Sequence, residues 1–310
     1  MSRVSDILDD LAEADSVAHE LRRLAEADPR DDIVTINLDS VKRRRADLER
    51  KLRTLLATRQ IDLIRYRVEL FDGSAPPAIA IARSIVLFQT LVTAAFDAIR
   101  STPKRLYHPS HENVRMSSLS FARAPGGNTD IHFTIPNDRL LLLASDLDET
   151  FGLVFDLLMS RAKTMFRNIA ARGGIASVTA AHAWAENAVQ YGLTTTIAWR
   201  KASDEQRAVT LSHSDALLFK TAIDTVSDET VDEVDRQCEL LALDDASGTF
   251  RMEVSGGETI SGILADGFPR DGSWTTRHWY TAILHRAMRV RYANGEETVR
   301  WTLRRLIPEG

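Results

Sequence analysis

Alternating apolar and polar positions dominate the last quarter of the chain. Residues 285–305 contain two alternating segments on either side of Asn294-Gly295, and this dipeptide is the strongest short-range signal of a β-hairpin. A two-residue turn gives the pair one apolar face. On the other face it sets basic residues against each other, Arg289 opposite Arg300 and His285 opposite Arg304. Because like charges directly opposite one another are destabilising, this face should meet carboxylates or an anionic partner.

Further alternating segments precede this hairpin and predict an all-β C-terminal domain. Short strands are expected over 234–243, 249–254, 259–264, 286–292 and 297–307, separated by Gly- and Asp-rich turns. Five short strands with one longer excursion are typical of a small β-barrel of the SH3-like or OB-like type. The expected core consists of Phe250, Met252, Val254, Ile260, Val290, Val299, Trp301 and Leu303. The acidic, turn-like stretch 227–233 predicts the domain boundary, so the barrel should occupy residues 227–310.

Helical spacing replaces alternation at the N-terminus. Apolar residues recur every three or four positions over 4–27 and again over 40–60, which predicts a helical hairpin or coiled-coil arm in residues 1–60. Residues 1–40 hold 11 acids and 4 arginines, while residues 41–67 hold 10 bases and 3 acids. The two helices are therefore expected to attract each other. A coiled-coil contact with a protein partner or a second copy is the alternative use of the same surface.

The middle of the chain, residues 61–226, mixes both periods. A half-exposed strand is expected from Ile64 to Leu70, a deeply buried helix over 78–100, and a hairpin of strands 116–123 and 129–135 around a turn at 125–128. Ser145 begins a further helix, with Asp148 as its capping-box partner. The order β, α, β, β, α predicts an α+β sandwich. The helix that begins at Ser145, or two joined helices, should reach Arg172, where Gly173-Gly174 stops it. Whether a further domain boundary lies near residue 173 stays open.

Composition narrows the class of protein without identifying its activity. The 310 residues have a formal net charge of −5 and a single cysteine, which argues against a global basic field and against a disulfide framework or a cysteine-based zinc site. The N-terminus lacks the apolar segment of a signal peptide. The apolar run 75–99 is interrupted by Arg83, Gln89 and Asp97 and should be a buried helix. We expect a soluble, cytoplasmic, multi-domain α+β protein.

Candidate catalytic chemistry is sparse. His108 and His111 lie in a polar loop without a matching third ligand, so solvated loop histidines are the simpler interpretation. Neither an HExxH, nor a GxxxxGK, nor a GxSxG motif occurs in the sequence, which lowers the odds of common hydrolases and nucleotide-driven enzymes. Cys238 lies mid-strand and is expected to pack in the core. No catalytic, metal-binding or cofactor-binding residue is therefore assigned, and an enzyme with a site in 101–135 is kept as a third hypothesis.

Two basic stripes remain as candidate binding sites for an anionic partner. Their members are Arg43, Arg44 and Arg45 on the second helix and His285, Arg289, Arg291, Arg300 and Arg304 on the C-terminal hairpin. Such stripes can neutralise phosphates, so a nucleic-acid-binding protein is the leading alternative function. Stacking aromatics should flank the arginines if the barrel binds single strands. Trp301 and Tyr292 are expected on the opposite face, which weakens that alternative.

The sequence therefore favours a non-catalytic function. We expect an interaction or regulatory subunit of an intracellular, bacterial multi-protein assembly, with host-defence systems as one such setting. The helical hairpin would serve assembly and the barrel would recognise a partner. Neither the identity of that partner nor the oligomeric state follows from the sequence.

Overall fold

The computed structural model describes residues 3–72, 74–123, 129–137, 145–269 and 274–309, so the turn expected at 125–128 lies outside the described residues. Within these ranges the protein has seven helices and two five-stranded sheets. The predicted α+β class is confirmed. The chain divides into two compact units, residues 1–225 and 226–310, and each is described by itself.

The first unit begins with two antiparallel helices, α1 (Val4–Ala27) and α2 (Asp32–Arg59). α2 begins eight residues before the predicted Ser40, because the Asp31 carboxylate caps it by accepting hydrogen bonds from the backbone N–H groups of Ile33 (2.9 Å) and Val34 (3.1 Å). The core of the hairpin lies toward its open end. It consists of Val4, Ile7, Leu8, Leu11 and Ala14 of α1 and Leu48, Leu52 and Leu56 of α2, together with Leu63 of the following strand.

An antiparallel sheet follows the hairpin. Its strands are β1 (Ile61–Leu70), β2 (Ser120–Arg123), β3 (Asp130–Pro136), β4 (Leu193–Arg200) and β5 (Gln206–Leu211), in the order β2-β3-β1-β4-β5. Residues beyond 173 therefore supply two strands to the same sheet as β1. The strand expected to begin at Met116 begins at Ser120, because Ser110 caps a short helix over the preceding residues.

Five further helices complete the first unit: α3 (Ala78–Arg100), α4 (His111–Ser117), α5 (Asp146–Met159), α6 (Lys163–Tyr191) and α7 (His213–Asp224). The capping box of Ser145 and Asp148 is confirmed. The stretch up to residue 172 forms two helices, α5 and the first part of α6, which are separated around Ser160. α6 spans Gly173-Gly174, but Gly174 has non-helical dihedrals (φ of 74° and ψ of 155°), and two helical segments meet in a kink there. The glycines therefore interrupt the helix as expected, and a second helical segment follows them directly.

One face of the sheet packs against α3, α5 and α6. Phe151 of α5 stacks on Trp199 of β4 with ring centroids 5.0 Å apart. The Tyr66 hydroxyl of β1 lies 2.6 Å from Ser84 Oγ of α3 and accepts a 2.8 Å hydrogen bond from Trp184 Nε1 of α6. Burial of this hydroxyl raises the pKa of Tyr66 to about 12. The other face of the sheet, called here the outer face, carries exposed polar residues beyond the part that the hairpin covers.

α3 is the one helix in the described ranges that is long and apolar enough to cross a membrane, and half of its most apolar 18-residue window is buried within the structure. Its buried side chains include Phe88, Leu91, Val92 and Phe96. Burial of this kind is typical of the core helix of a soluble protein, in line with the interpretation of residues 75–99.

The second unit consists of β6 (Ser227–Asp244), β7 (Thr249–Val254), β8 (Thr259–Leu264), β9 (Trp279–Arg291) and β10 (Glu297–Pro308). The strand pairing β10-β8-β7-β6-β9 closes on itself because β9 also pairs with β10. Its core includes Phe250, Met252, Val254, Ile260 and Leu303, as expected. Trp301 is partly buried against this core, whereas Val299 is 38% exposed.

The turn-like conformation expected for residues 227–233 is wrong. These residues form the first half of β6 and pair antiparallel with residues 285–291 of β9. Glu229 lies opposite Arg289, Asp232 opposite Arg286 and Glu233 opposite His285. Acidic residues are depleted in strands on propensity alone, but here these three gain a basic cross-strand neighbour, and such opposite-charge pairs are stabilising.

The predicted register of the β9–β10 hairpin is also wrong, by two residues. Arg289 lies opposite Thr298, Arg300 opposite Ala287 and His285 opposite Thr302. The turn is longer than two residues, since the Arg291 N–H donates to Glu296 O and the Gly295 N–H donates to Arg291 O. Gly295 has a φ of 68° and Asn294 does not share the left-handed region, whereas a two-residue type I′ turn needs both. The alternation of faces survives, but the basic residues no longer oppose each other directly.

Candidate functional site

The first basic stripe lies on α2 and is largely neutralised by α1. Arg45 Nε contacts Asp15 Oδ1 at 2.6 Å, and Arg44 Nη2 contacts Glu13 Oε2 at 3.5 Å. The hydrogen bond that Arg45 donates to the Asp15 carboxylate raises the pKa of Arg45. Arg43 is exposed and makes no ion pair with a described residue. Two of the three predicted residues thus help to join the two helices, as the opposite charges of the helices indicated.

The second stripe belongs to the other unit and is lined by carboxylates of its own sheet. His285 Nε2 lies 3.1 Å from Glu233 Oε2 and 3.2 Å from Arg304 Nη1. Arg291 Nη1 lies 3.8 Å from Glu296 Oε2. These contacts place acidic side chains among the predicted anion-binding residues.

The remaining two members of this stripe lie further along the same face. Arg289 lies across from Glu229, and its Nε donates to Ser227 Oγ at 3.0 Å. Arg300 is exposed, lies opposite Ala287 and makes no ion pair with a described residue. The acidic run 227–233 was not expected to form a strand across from this stripe, because an acidic run without apolar alternation gives no strand signal.

An exposed apolar side chain lies within this charged face. Val231 is 60% exposed, sits between Glu229 and Glu233 along β6 and lies opposite Ala287 of β9. Side chains of 229, 231 and 233 project to one side of the sheet because strand residues alternate. We call this surface, which comprises Glu229, Val231, Glu233, His285, Ala287, Arg289 and Arg300, the mixed face. It combines both charges with apolar contact area.

The first unit contains a charged cleft between the hairpin and the outer face of the sheet. The cleft has a volume of about 600 Å³, and its polar wall includes Asp15, Arg45, Glu49, Arg65, Arg123, Asp130, His132 and Arg200. Arg200 Nη1 contacts Glu49 Oε2 at 3.1 Å, and Arg123 Nε contacts Asp9 Oδ1 at 2.6 Å. Each of the four arginines contacts a carboxylate. The pairs of Arg123 with Asp9 and of Arg200 with Glu49 join α1 and α2 to the strands.

His132 is a buried titratable group of this cleft whose surroundings disfavour its charged form. Burial lowers the pKa of His132, and the nearby charges of Arg65 and Arg123 lower it further, against the opposing effect of Asp130. Its Nδ1 is buried without a hydrogen-bond partner in the described part of the chain. The imidazole is therefore neutral at pH 7. It supplies neither a positive charge for an anion nor, by itself, a catalytic arrangement.

Residues 101–117 are organised around Asp97 of α3. Asp97 Oδ2 contacts Lys104 Nζ at 2.5 Å, and its Oδ1 accepts a 2.7 Å hydrogen bond from Asn113 Nδ2. Burial alone would raise the pKa of Asp97, but these two donors hold it below its ordinary value. His108 and His111 are both exposed. The polar groups of this loop therefore serve to hold its conformation.

Metal-binding and thiol chemistry find little support in the described ranges. These ranges hold no group of three or more His, Cys, Asp or Glu side chains arranged to bind a metal ion. Cys238 is buried in the core of the second unit, and burial raises the pKa of its thiol to about 11. A protonated, inaccessible thiol is a poor nucleophile, so the expectation of a packed cysteine is confirmed.

Comparison with known proteins adds no relative. Neither a protein-family model, nor a curated protein, nor a solved structure matches this chain. Its function is therefore inferred from its own residues.

Proposed function

We propose that this protein is a non-catalytic interaction or regulatory subunit of a cytoplasmic multi-protein assembly. Its second unit, which we interpret as a small β-barrel of the SH3-like or OB-like type, would recognise a protein partner through the mixed face. The N-terminal hairpin would serve assembly. The observation that carries this proposal is the row of carboxylates in 227–233, in which Glu229 and Glu233 lie across from Arg289 and His285 of the candidate phosphate-binding stripe.

The chemistry of the mixed face fits a protein partner better than a nucleic acid. Phosphate binding draws on unneutralised Lys and Arg side chains, whereas Glu229 and Glu233 put negative charge directly beside Arg289 and His285. Protein interfaces combine an apolar centre with charged residues around it, and arginine is enriched in them. Val231 supplies such a centre, with Arg289 and Arg300 beside it.

The test is recovery of a partner with the tagged full-length protein from its native host. Wild-type protein should retain a partner near stoichiometric amounts, and Val231→Lys should lose it. Ile263→Lys is the matched control, because Ile263 is an exposed apolar residue of the same unit outside the mixed face. Retention of the partner by Val231→Lys, or absence of any protein above background in the wild-type sample, would contradict the proposal.

The two alternatives make different predictions. A nucleic-acid-binding protein should bind DNA or RNA with steep salt dependence, and Arg289→Glu combined with Arg300→Glu should abolish that binding. An enzyme with a metal site near residues 101–135 should purify with stoichiometric metal that is lost in His108→Ala and His111→Ala. Either result would replace the proposed function.

A further inference from the structure

α2 carries charge of opposite sign at its two ends. Residues 31–41 hold three acids and no base, while residues 42–59 hold eight bases and two acids. A helix with this polarity complements a second copy of itself when the two run antiparallel, because a parallel pair sets like charges side by side. An antiparallel pair also satisfies two-fold symmetry, in which the same surface serves both subunits.

Both ends of α2 also leave apolar surface uncovered. Near the connection to α1, Ile33 and Ile36 are 71% and 67% exposed. Near the other end, a shallow groove of about 670 Å³ includes the apolar side chains of Ile7 and Leu55. Its other lining residues include the bases Arg50, Lys51 and Arg59. An acidic, apolar end and a basic, apolar groove thus lie on the same helix.

The isoleucines and the groove share one side of α2. Ile33, Ile36, Asp47, Lys51, Thr54 and Thr58 follow one another at steps of three, four or eleven residues. Each of these steps is close to a whole number of helical turns. One straight partner helix can therefore contact both features.

We propose that α2 pairs antiparallel with α2 of a second copy, so that Ile33 and Ile36 of each chain enter the groove beside Leu55 of the other. The two-fold axis passes near Arg45, because Ile36 and Leu55 lie at nearly equal distances from it along the helix. Ile36 and Leu55 lie about 28 Å apart along the helix, at 1.5 Å per residue. Because the distance is the same in both copies, the two contacts of the symmetric pair form at the same time. This inference rests on the assembly role proposed above and names a second copy as the partner of the hairpin.

A two-fold axis at this position also aligns opposite charges between the two copies. Positions that sum to 90 lie opposite each other, which places Asp39 across from Lys51 and Arg43 across from Asp47. Arg43 makes no ion pair with a described residue of its own chain, so the second copy supplies its carboxylate. Asp47 keeps its contact with Arg50.

Sedimentation velocity of the full-length protein tests this pairing by charge reversal. Wild type should sediment with the mass of two chains at about 10 µM. Two charge-reversed variants are compared with it: the groove variant, Lys51→Glu with Arg59→Glu, and the tip variant, Asp32→Lys with Asp39→Lys. The dissociation constant of each variant's dimer should be about tenfold higher than that of wild type, or more. An equal mixture of the two variants should dimerise again, because both contacts of the mixed pair then join opposite charges.

The matched control reverses two exposed bases elsewhere in the first unit, Arg115→Glu with Lys163→Glu, and should stay dimeric. Far-UV circular dichroism equal to wild type confirms that each variant is folded. A wild-type chain that stays monomeric at about 100 µM, a dimeric groove variant, or a mixture that fails to reassociate overturns the pairing. These outcomes leave the partner test with Val231→Lys unaffected, so the two proposals can fail separately.

Discussion

Gly174 makes the closest approach to neighbouring backbone inside a helix of the first unit, and its replacement by alanine has a calculable cost. A Cβ built on Gly174 would lie 2.3 Å from Lys104 O and 2.6 Å from Lys104 N. The residue also has a φ of 74° and a ψ of 155°, a region that essentially only glycine adopts and that costs an L-residue about 1–3 kcal/mol. The overlap is with backbone, so α6 or the 101–110 loop must move, at a further cost of about 1–3 kcal/mol.

Gly174→Ala should therefore lower the free energy of unfolding by about 2–6 kcal/mol, or the melting temperature by roughly 10 °C in a unit of this size. Urea denaturation followed by circular dichroism measures the change. Gly152→Ala is the matched control, since the nearest atom to its added Cβ is Arg207 Nη1 at 3.9 Å. In the middle of α5 this alanine should stabilise the helix by about 0.5–1 kcal/mol. A Gly174→Ala protein within about 0.5 kcal/mol of wild type would refute the reasoning.

Two further predictions follow from buried titratable groups. Because the folded-state pKa of Asp97 is lowered, its contribution is fully present above its unfolded pKa of about 4 and is lost as the pH falls through the folded value. Asp97→Asn should thus be less stable than wild type by about 2–4 kcal/mol at pH 7, and the gap in urea denaturation should shrink at pH 3; an unchanged gap would be inconsistent with this. The Cys238 thiol, with its pKa raised to about 11, should react with Ellman's reagent at pH 8 only in denaturant, and a fast stoichiometric reaction of the native protein would show that it is not packed as described.

The sequence predicted those elements whose period is strong over a long stretch. α1 and α3 occupy the expected residues because their apolar positions recur at helical spacing over their whole length. Boundaries failed where a single side chain decides them. Asp31 extends α2 toward the N-terminus, and Ser110 begins a helix inside a predicted loop.

Only part of the mixed face could be predicted from the sequence. The arginines of β9 and β10 were visible, and their alternation between faces was correct. The residues that face them were not, because Glu229 and Glu233 sit in an acidic run with low intrinsic strand propensity. Pairing with β9 overrides that propensity, and the turn around Gly295 is set by tertiary pairing as well as by the dipeptide.

The carboxylates of Glu229 and Glu233 on β6 favour a protein over a nucleic acid as the partner. One binding measurement tests this effect directly. Fluorescence anisotropy of a labelled single-stranded oligonucleotide, titrated with full-length protein at several salt concentrations, compares wild type with Glu229→Gln combined with Glu233→Gln. We expect no specific binding by wild type at about 150 mM salt, and measurable, salt-dependent binding once the two carboxylates are removed. Tight wild-type binding with a steep salt slope, unchanged by the two substitutions, would contradict the account.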